Sequence, residues 1–113
     1  MGEISGTRST FGKMAGPPAI IDLVANSAAP SEIDSSGHMV AQVALYCSAS
    51  FHWTIAPDQT LADTRIAADA TRGFLPAGFY GFPVSGSSNK LYIRSNTATG
   101  TTDGVSYVLI EED

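Results

Sequence analysis

Between Met39 and Cys47 the chain alternates with period two. Met39, Ala41, Val43, Leu45 and Cys47 fall on one side of an extended backbone, and Gln42, Ala44, Tyr46 and Ser48 on the other. Successive side chains of a strand point to opposite faces, so the pattern specifies a strand with one apolar face; a helix repeats its apolar positions every three or four residues instead. The same odd-numbered side resumes at Phe51, Trp53 and Ile55, with His52 and Thr54 opposite. Two strands follow, over 38–48 and 50–56, or one long strand kinked near Ser48-Ala49-Ser50.

The rest of the chain repeats this theme. Ala19 to Val24 is a shorter candidate strand, and Lys90-Leu91-Tyr92-Ile93-Arg94 alternates cleanly. The stretch from Gly78 to Val84 is aromatic-rich, but its glycines and Pro83 confine it to an edge or a bulge. Val105 to Ile110 is apolar on both faces, which suits a strand covered by a second sheet on one side and a neighbour on the other. Turn residues separate these runs: Ala56-Pro57-Asp58-Gln59, Pro76-Ala77-Gly78, Ser85 to Asn89, and Thr101 to Gly104. Short strands broken by turns at such spacing predict an all-β fold, a single jelly-roll-like antiparallel β-sandwich over 19–113. Leu61 to Ala70 is the one helical candidate; Leu61, Ile66 and Ala70 fit a helix poorly, so a loop or short extended segment is expected there.

The first 18 residues differ in kind. They hold four of the eleven glycines, the Pro17-Pro18 pair and little apolar content. Arg8 and Lys13 against Glu3 leave this segment at +1, while four basic and ten acidic residues leave 19–113 at −6. Such a segment buries too little surface to offset its ordering entropy alone. Residues 1–18 are therefore expected to be an extended arm that orders against an acidic neighbouring subunit; a passive tail is the bland alternative.

Composition narrows the function. Charged residues make up 15% of the chain, against roughly 25% in an ordinary soluble domain. Much of the surface is then Ser, Thr, Gly and Ala, as suits a protein packed into an assembly. The net charge is −5 and the six basic residues are scattered, which argues against nucleic-acid binding, where clustered positive charge must displace counterions from phosphate. There is no run of about 18 apolar residues for a membrane-spanning helix, and Met1 to Gly6 lacks the apolar core of a signal peptide. With a single cysteine, Cys47, no internal disulfide forms, and a cytoplasmic birthplace is expected.

No set of residues converges on chemistry. A nucleophilic reading would pair Cys47 or a serine with His38 or His52, but Cys47 has the core parity of its strand, where cysteine acts as a small hydrophobe. His52 falls on the polar side of its strand, and His38 at a strand entrance. Two histidines without cysteine or carboxylate partners at ligand spacing do not make a zinc site. Asp58, Asp63 and Asp69 lack the glycine and terminal glutamate of a calcium loop. Glu111-Glu112-Asp113 reads as a solubilising end. Trp53 with Tyr80, Phe82 and Tyr92 would serve as a sugar-stacking platform if exposed in a row, yet Phe51 and Trp53 share the apolar parity and belong to the core. Tyr46, Tyr80 and Tyr92, on the opposite parity, are the candidate contact surface. The expectation is a chain that is not an enzyme and has no catalytic residues, cofactor or metal.

From Val43 to Thr64 the sequence resembles a segment of small structural proteins of tailed bacteriophages. There, a strand with a central small or Cys residue leads into an aromatic strand and a Pro-containing loop rich in Thr, Ala and Asp. The likeness continues through Phe74-Leu75-Pro76-Ala77-Gly78-Phe79-Tyr80-Gly81-Phe82-Pro83-Val84, Lys90-Leu91-Tyr92-Ile93-Arg94 and a closing strand from Gly104 to Ile110. It covers about 40–110 and is a pattern of strands and turns rather than an invariant motif. It departs from the family pattern in a longer N-terminal arm and in Ala56-Pro57, where a glycine is usual. The resemblance implies a virion protein, a capsid decoration or cement subunit that binds the major capsid protein and itself as a homotrimer, assembled in the host bacterial cytoplasm. The alternatives are a glycan-binding β-sandwich module or a tail, neck or fibre accessory protein.

Overall fold

A computed structural model describes residues 13–14, 17–34, 40–84 and 89–111 of the chain. Its elements, in order, are β1 (Lys13–Met14), β2 (Ala19–Leu23), β3 (Ser31–Glu32), β4 (Val40–Cys47), β5 (Phe51–Ala56), helix α1 (Gln59–Ala67), β6 (Gly73–Leu75), β7 (Gly78–Pro83), β8 (Lys90–Ser95) and β9 (Thr101–Glu111). They form two antiparallel sheets. Sheet A runs β1-β9-β4-β7 with β2 also on β9, and sheet B runs β3-β8-β5-β6. The chain is an all-β sandwich, as its alternation predicts, with one short helix among the described residues.

The two candidate strands around Ser48 are separate and belong to different sheets. At Ser48-Ala49-Ser50 the chain leaves sheet A for sheet B, and the corner is held by Ser48 N–H donating to Gly104 O at 2.8 Å and Asn96 N–H to Ser50 O at 3.1 Å. Odd parity survives the corner because the inner faces of the two sheets look at each other. Val43, Leu45 and Cys47 from β4 and Val105 from β9 are buried against Phe51, Leu91 and Ile93 from sheet B, with Leu23, Ile33, Phe82 and Val84 completing the core. Aromatic rings link the layers: Phe51 meets Tyr80 edge-on at 5.6 Å and Trp53 meets Phe82 at 4.9 Å. Gly73 is needed beside this cluster, since a Cβ there would lie 2.2 Å from the Trp53 indole. Gly78, entering β7 at φ +154°, supplies a backbone conformation that other residues rarely adopt.

Residues 59–67 form a helix, not the loop or extended segment expected from the weak pattern of Leu61, Ile66 and Ala70. Its start is set by capping rather than by amphipathicity. The Asp58 carboxylate accepts from Leu61 N–H at 2.8 Å, satisfying one of the donors that a helix N-terminus leaves open. Only Ala62 and Ile66, one turn apart, are buried on it. The outer face of sheet B, beneath, presents Ala56 and Tyr92 to receive Ala62, with Leu61 packed alongside.

Helix α1 gives sheet B a second covered face. Both sides of β5 are therefore inaccessible: Phe51, and on the opposite side His52, Thr54 and Ala56, are all buried. Arg65 donates to Ile55 O at 2.6 Å, and Arg94 to Ile66 O at 3.1 Å, tying the helix to the sheet. Sheet A has no such cover among the described residues.

Two residues of the segment read as an arm lie in sheet A. Lys13 and Met14 pair with Glu111 and Ile110 at the end of β9. Residues 1–12 lie outside the described residues.

Candidate functional site

The outward-facing side chains of sheet A are those directly paired across β2, β9, β4 and β7. One row is Ile20, Ser106, Tyr46 and Phe79; the next is Val108, Ala44 and Gly81; a third is Ile110, Gln42 and Pro83. Phe79 is 82% exposed, Ile20 60% and Tyr46 41%. The Tyr46 and Phe79 rings, on paired residues, touch with centroids 4.7 Å apart and a 48° tilt. Beside them the small side chains of Ala44, Gly81 and Ser106 leave an open hollow of about 530 Å³, which Pro18 and Val108 also line. The Gln42 amide lies over Gly81, where an added Cβ would fall 2.2 Å from its nitrogen.

None of the residues lining this hollow is acidic, basic or histidine. On a chain of net charge −5 that is a distinct chemical zone. Asp22, exposed on β2 two residues beyond Ile20, stands outside that lining. The face offers apolar area, two aromatic rings and a few neutral hydrogen-bonding groups (Gln42, Tyr46, Ser106). That chemistry suits contact, because exposed apolar clusters of this kind mark interaction surfaces, and Tyr is favoured there for its rigid area and hydroxyl.

The residues weighed for catalysis are not brought together. Cys47 is fully buried between the sheets, and burial pushes its thiol pKa up, opposed by a hydrogen bond with the Ala49 backbone. A thiol held protonated is a poor nucleophile. His52 lies on the far side of sheet B from Cys47, under α1, where Arg94 Nε–H donates to its Nδ1 at 3.4 Å. It falls on the polar side of its strand as expected, yet it is buried, with the Phe74 ring 6.1 Å away and the Arg94 guanidinium beside it. Burial, then Arg72, then Arg94 hold the imidazole below its ordinary range. His38 lies outside the described residues. Asp58 caps α1, Asp63 accepts from Gln59 Nε2 at 2.8 Å and Asp69 pairs with Arg72. Among the described residues no three His, Cys, Asp or Glu side chains cluster to hold a metal, and no helix is long and apolar enough to cross a membrane.

The tyrosines separate. Tyr46 is on the open face, as its parity predicts. Tyr92 is not: it is buried beneath α1, and burial, with Glu32, Asp58 and Asp63 nearby, pushes its hydroxyl pKa up. Tyr80 is half-buried against the core, its hydroxyl donating to Pro76 O at 2.7 Å. Trp53 is half-buried between the sheets, so no row of Trp53, Tyr80, Phe82 and Tyr92 is exposed. Phe79 and Ile20, the most exposed large apolar residues, went unnoticed in the sequence. Only the pairing of Tyr46 with Phe79 and of Ser106 with Ile20 places them on one face. Comparison with protein-family models, curated proteins and solved structures finds no match to this chain.

Proposed function

We propose that this protein is a non-enzymatic virion assembly subunit of the capsid decoration or cement kind, which binds a capsid lattice and copies of itself. The observation that carries the contact role is the contrast between the two sheets. Sheet B is covered by α1 over β5 and β8, leaving Phe74 exposed at its β6 edge, whereas sheet A leaves Ile20, Tyr46 and Phe79 in solvent around an uncharged hollow. Exposed apolar area forfeits about 25 cal/mol for each Å² it would bury, so a chain that keeps such a face open gains by pairing it. The phage assignment rests on the resemblance of 40–110 to virion structural proteins, with the major capsid protein as the larger partner. Lattice symmetry multiplies contacts, so each subunit needs only a modest patch.

The test is sedimentation of the purified protein with phage capsids that lack it, counting copies per particle. Saturable, lattice-stoichiometric occupancy supports the reading, and absence of occupancy refutes it. A glycan-binding module is the second reading, favoured by the adjacent exposed rings of Tyr46 and Phe79, although their 48° tilt is not a flat stacking platform. Glycan-array binding that Tyr46→Ala abolishes, with empty capsids, would put that reading in its place.

A further inference from the structure

We infer that helix α1 is an acid-released flap: protonation of His52 undocks it from sheet B and opens the Tyr92 side of that sheet to solvent.

The helix is a separately attached piece of the fold. Its buried side chains are Ala62 and Ile66, and Ala62 packs with Ala56, Tyr92 and Leu61 in a small apolar cluster of its own. No side chain of α1 belongs to the core between the sheets, which Phe51, Leu91 and Ile93 share with sheet A. An element with so few buried apolar groups opens at a lower free energy than the strands beneath it. Three guanidinium groups hold its C-terminal end. Arg65 donates to Ile55 O at 2.6 Å, and Ile66 O accepts from Arg94 at 3.1 Å and from Arg72 at 3.4 Å.

Arg94 joins the helix end to the imidazole. Its Nη2 donates to Ile66 O while its Nε donates to His52 Nδ1 at 3.4 Å. A ring nitrogen that accepts carries no proton, so the docked arrangement holds a neutral His52. His52 is 5% exposed and Arg94 9%, directly paired across the central strands β5 and β8. Protonating Nδ1 sets two N–H donors against each other and places a second cation beside a shielded guanidinium, where like charges repel more strongly than in water. Arg72, in the segment after α1, adds to that repulsion, and β6 brings only the Phe74 ring. Asn96 and Asp69 favour the proton, but the Asp69 carboxylate is exposed and already paired with Arg72.

The strands cannot yield, because β5 and β8 are paired from Phe51 to Ala56. The cover can. As Arg94 turns from the imidazole, Ile66 O loses a donor, the helix end lifts, and water reaches both cations. The docked state excludes this proton and the undocked state admits it. Docking is therefore at full strength above about 6.5, the ordinary histidine value, and weakens below it by at most about tenfold per pH unit.

The experiment is hydrogen–deuterium exchange of the full chain, read by mass spectrometry at about pH 7.5 and about pH 5 and corrected for intrinsic exchange at each. Amides of α1 are expected to lose about 3- to 30-fold in protection at the lower pH, while β4 and β9 keep theirs. His52→Gln, whose side-chain oxygen still accepts from Arg94 but takes up no proton, should hold helix protection constant. Wild-type helix protection that does not change overturns the flap. So does a loss shared equally by β4 and β9, which is global unfolding, or a variant that keeps the wild-type drop. A second measurement needs no variant: the His52 ring-proton NMR signal should titrate in step with the loss of helix protection, and titration without that loss refutes the coupling.

Discussion

The Arg94 guanidinium donates from Nε to Nδ1 of His52 at 3.4 Å, so a buried imidazole is held beside a buried cation under helix α1. Arg94 also donates to Ile66 O at 3.1 Å, and Arg72 to the same carbonyl at 3.4 Å. The C-terminal turn of the helix, where carbonyls lack intrahelical donors, is thus met by two guanidinium groups. A neutral His52 fits this arrangement and a protonated one opposes it.

The arrangement predicts a pH dependence. Burial, Arg72 and Arg94 depress the His52 pKa, while a hydrogen bond with Asn96 and the charge of Asp69 act the other way and lose. The unfolded chain therefore takes up this proton at a higher pH than the folded one. Stability from this group is complete above about 6.5, the ordinary histidine value, and is lost as pH falls from there toward the depressed folded value. Thermal melts between about pH 5 and about 7.5 should show the wild type losing stability on acidification. His52→Gln should flatten that slope. An unchanged slope in the variant would assign the dependence to other groups.

Core truncation should rank by burial. Phe51 is fully buried and touches both Tyr80 and Phe82, so Phe51→Ala is expected to cost about 3–5 kcal/mol. Trp53 is half-buried, and Trp53→Ala should fall at or below the low end of that range, about 3 kcal/mol. Urea denaturation with unchanged slope would give both values. A Trp53 variant with wild-type stability would return the indole to the candidate contact surface.

Removing the cap of α1 should be felt without being fatal. Asp58→Ala loses the bond to Leu61 N–H and is expected to cost about 1 kcal/mol, with Asp58→Asn costing less because its side-chain oxygen still accepts. The comparison of urea midpoints for the two variants checks it. Equal loss in both would mean that charge, rather than capping, holds the helix start.

Cys47 should behave as a core residue. It is fully buried, with its thiol raised by burial, so a thiol reagent should label it slowly in native buffer and stoichiometrically in denaturant. Fast native labelling would show an open path between the sheets.

Alternation alone marked out the part of the core that lies on β4, β5 and β8. Val43, Leu45, Cys47, Phe51, Leu91 and Ile93 follow from parity, because a strand buried on one side must place every second residue there. What covers the other side of a strand is a different matter, since period two separates the faces without saying what lies over them. The even-numbered residues of β4 and β5 look alike in sequence, yet Gln42 and Tyr46 are exposed while His52 and Thr54 are buried. That difference is made by α1, whose start depends on a single cap at Asp58 and whose packing depends on Ala62 and Ile66, too few positions to read as an amphipathic stripe. The candidate face was half legible. Tyr46 could be placed by its own strand, but Phe79 and Ile20 join it only through the pairing of β4 with β7 and of β2 with β9, strands distant in sequence whose register no local pattern encodes. The local chain chose the strands and their inner faces; long-range pairing and one capped helix decided which outer face stayed open.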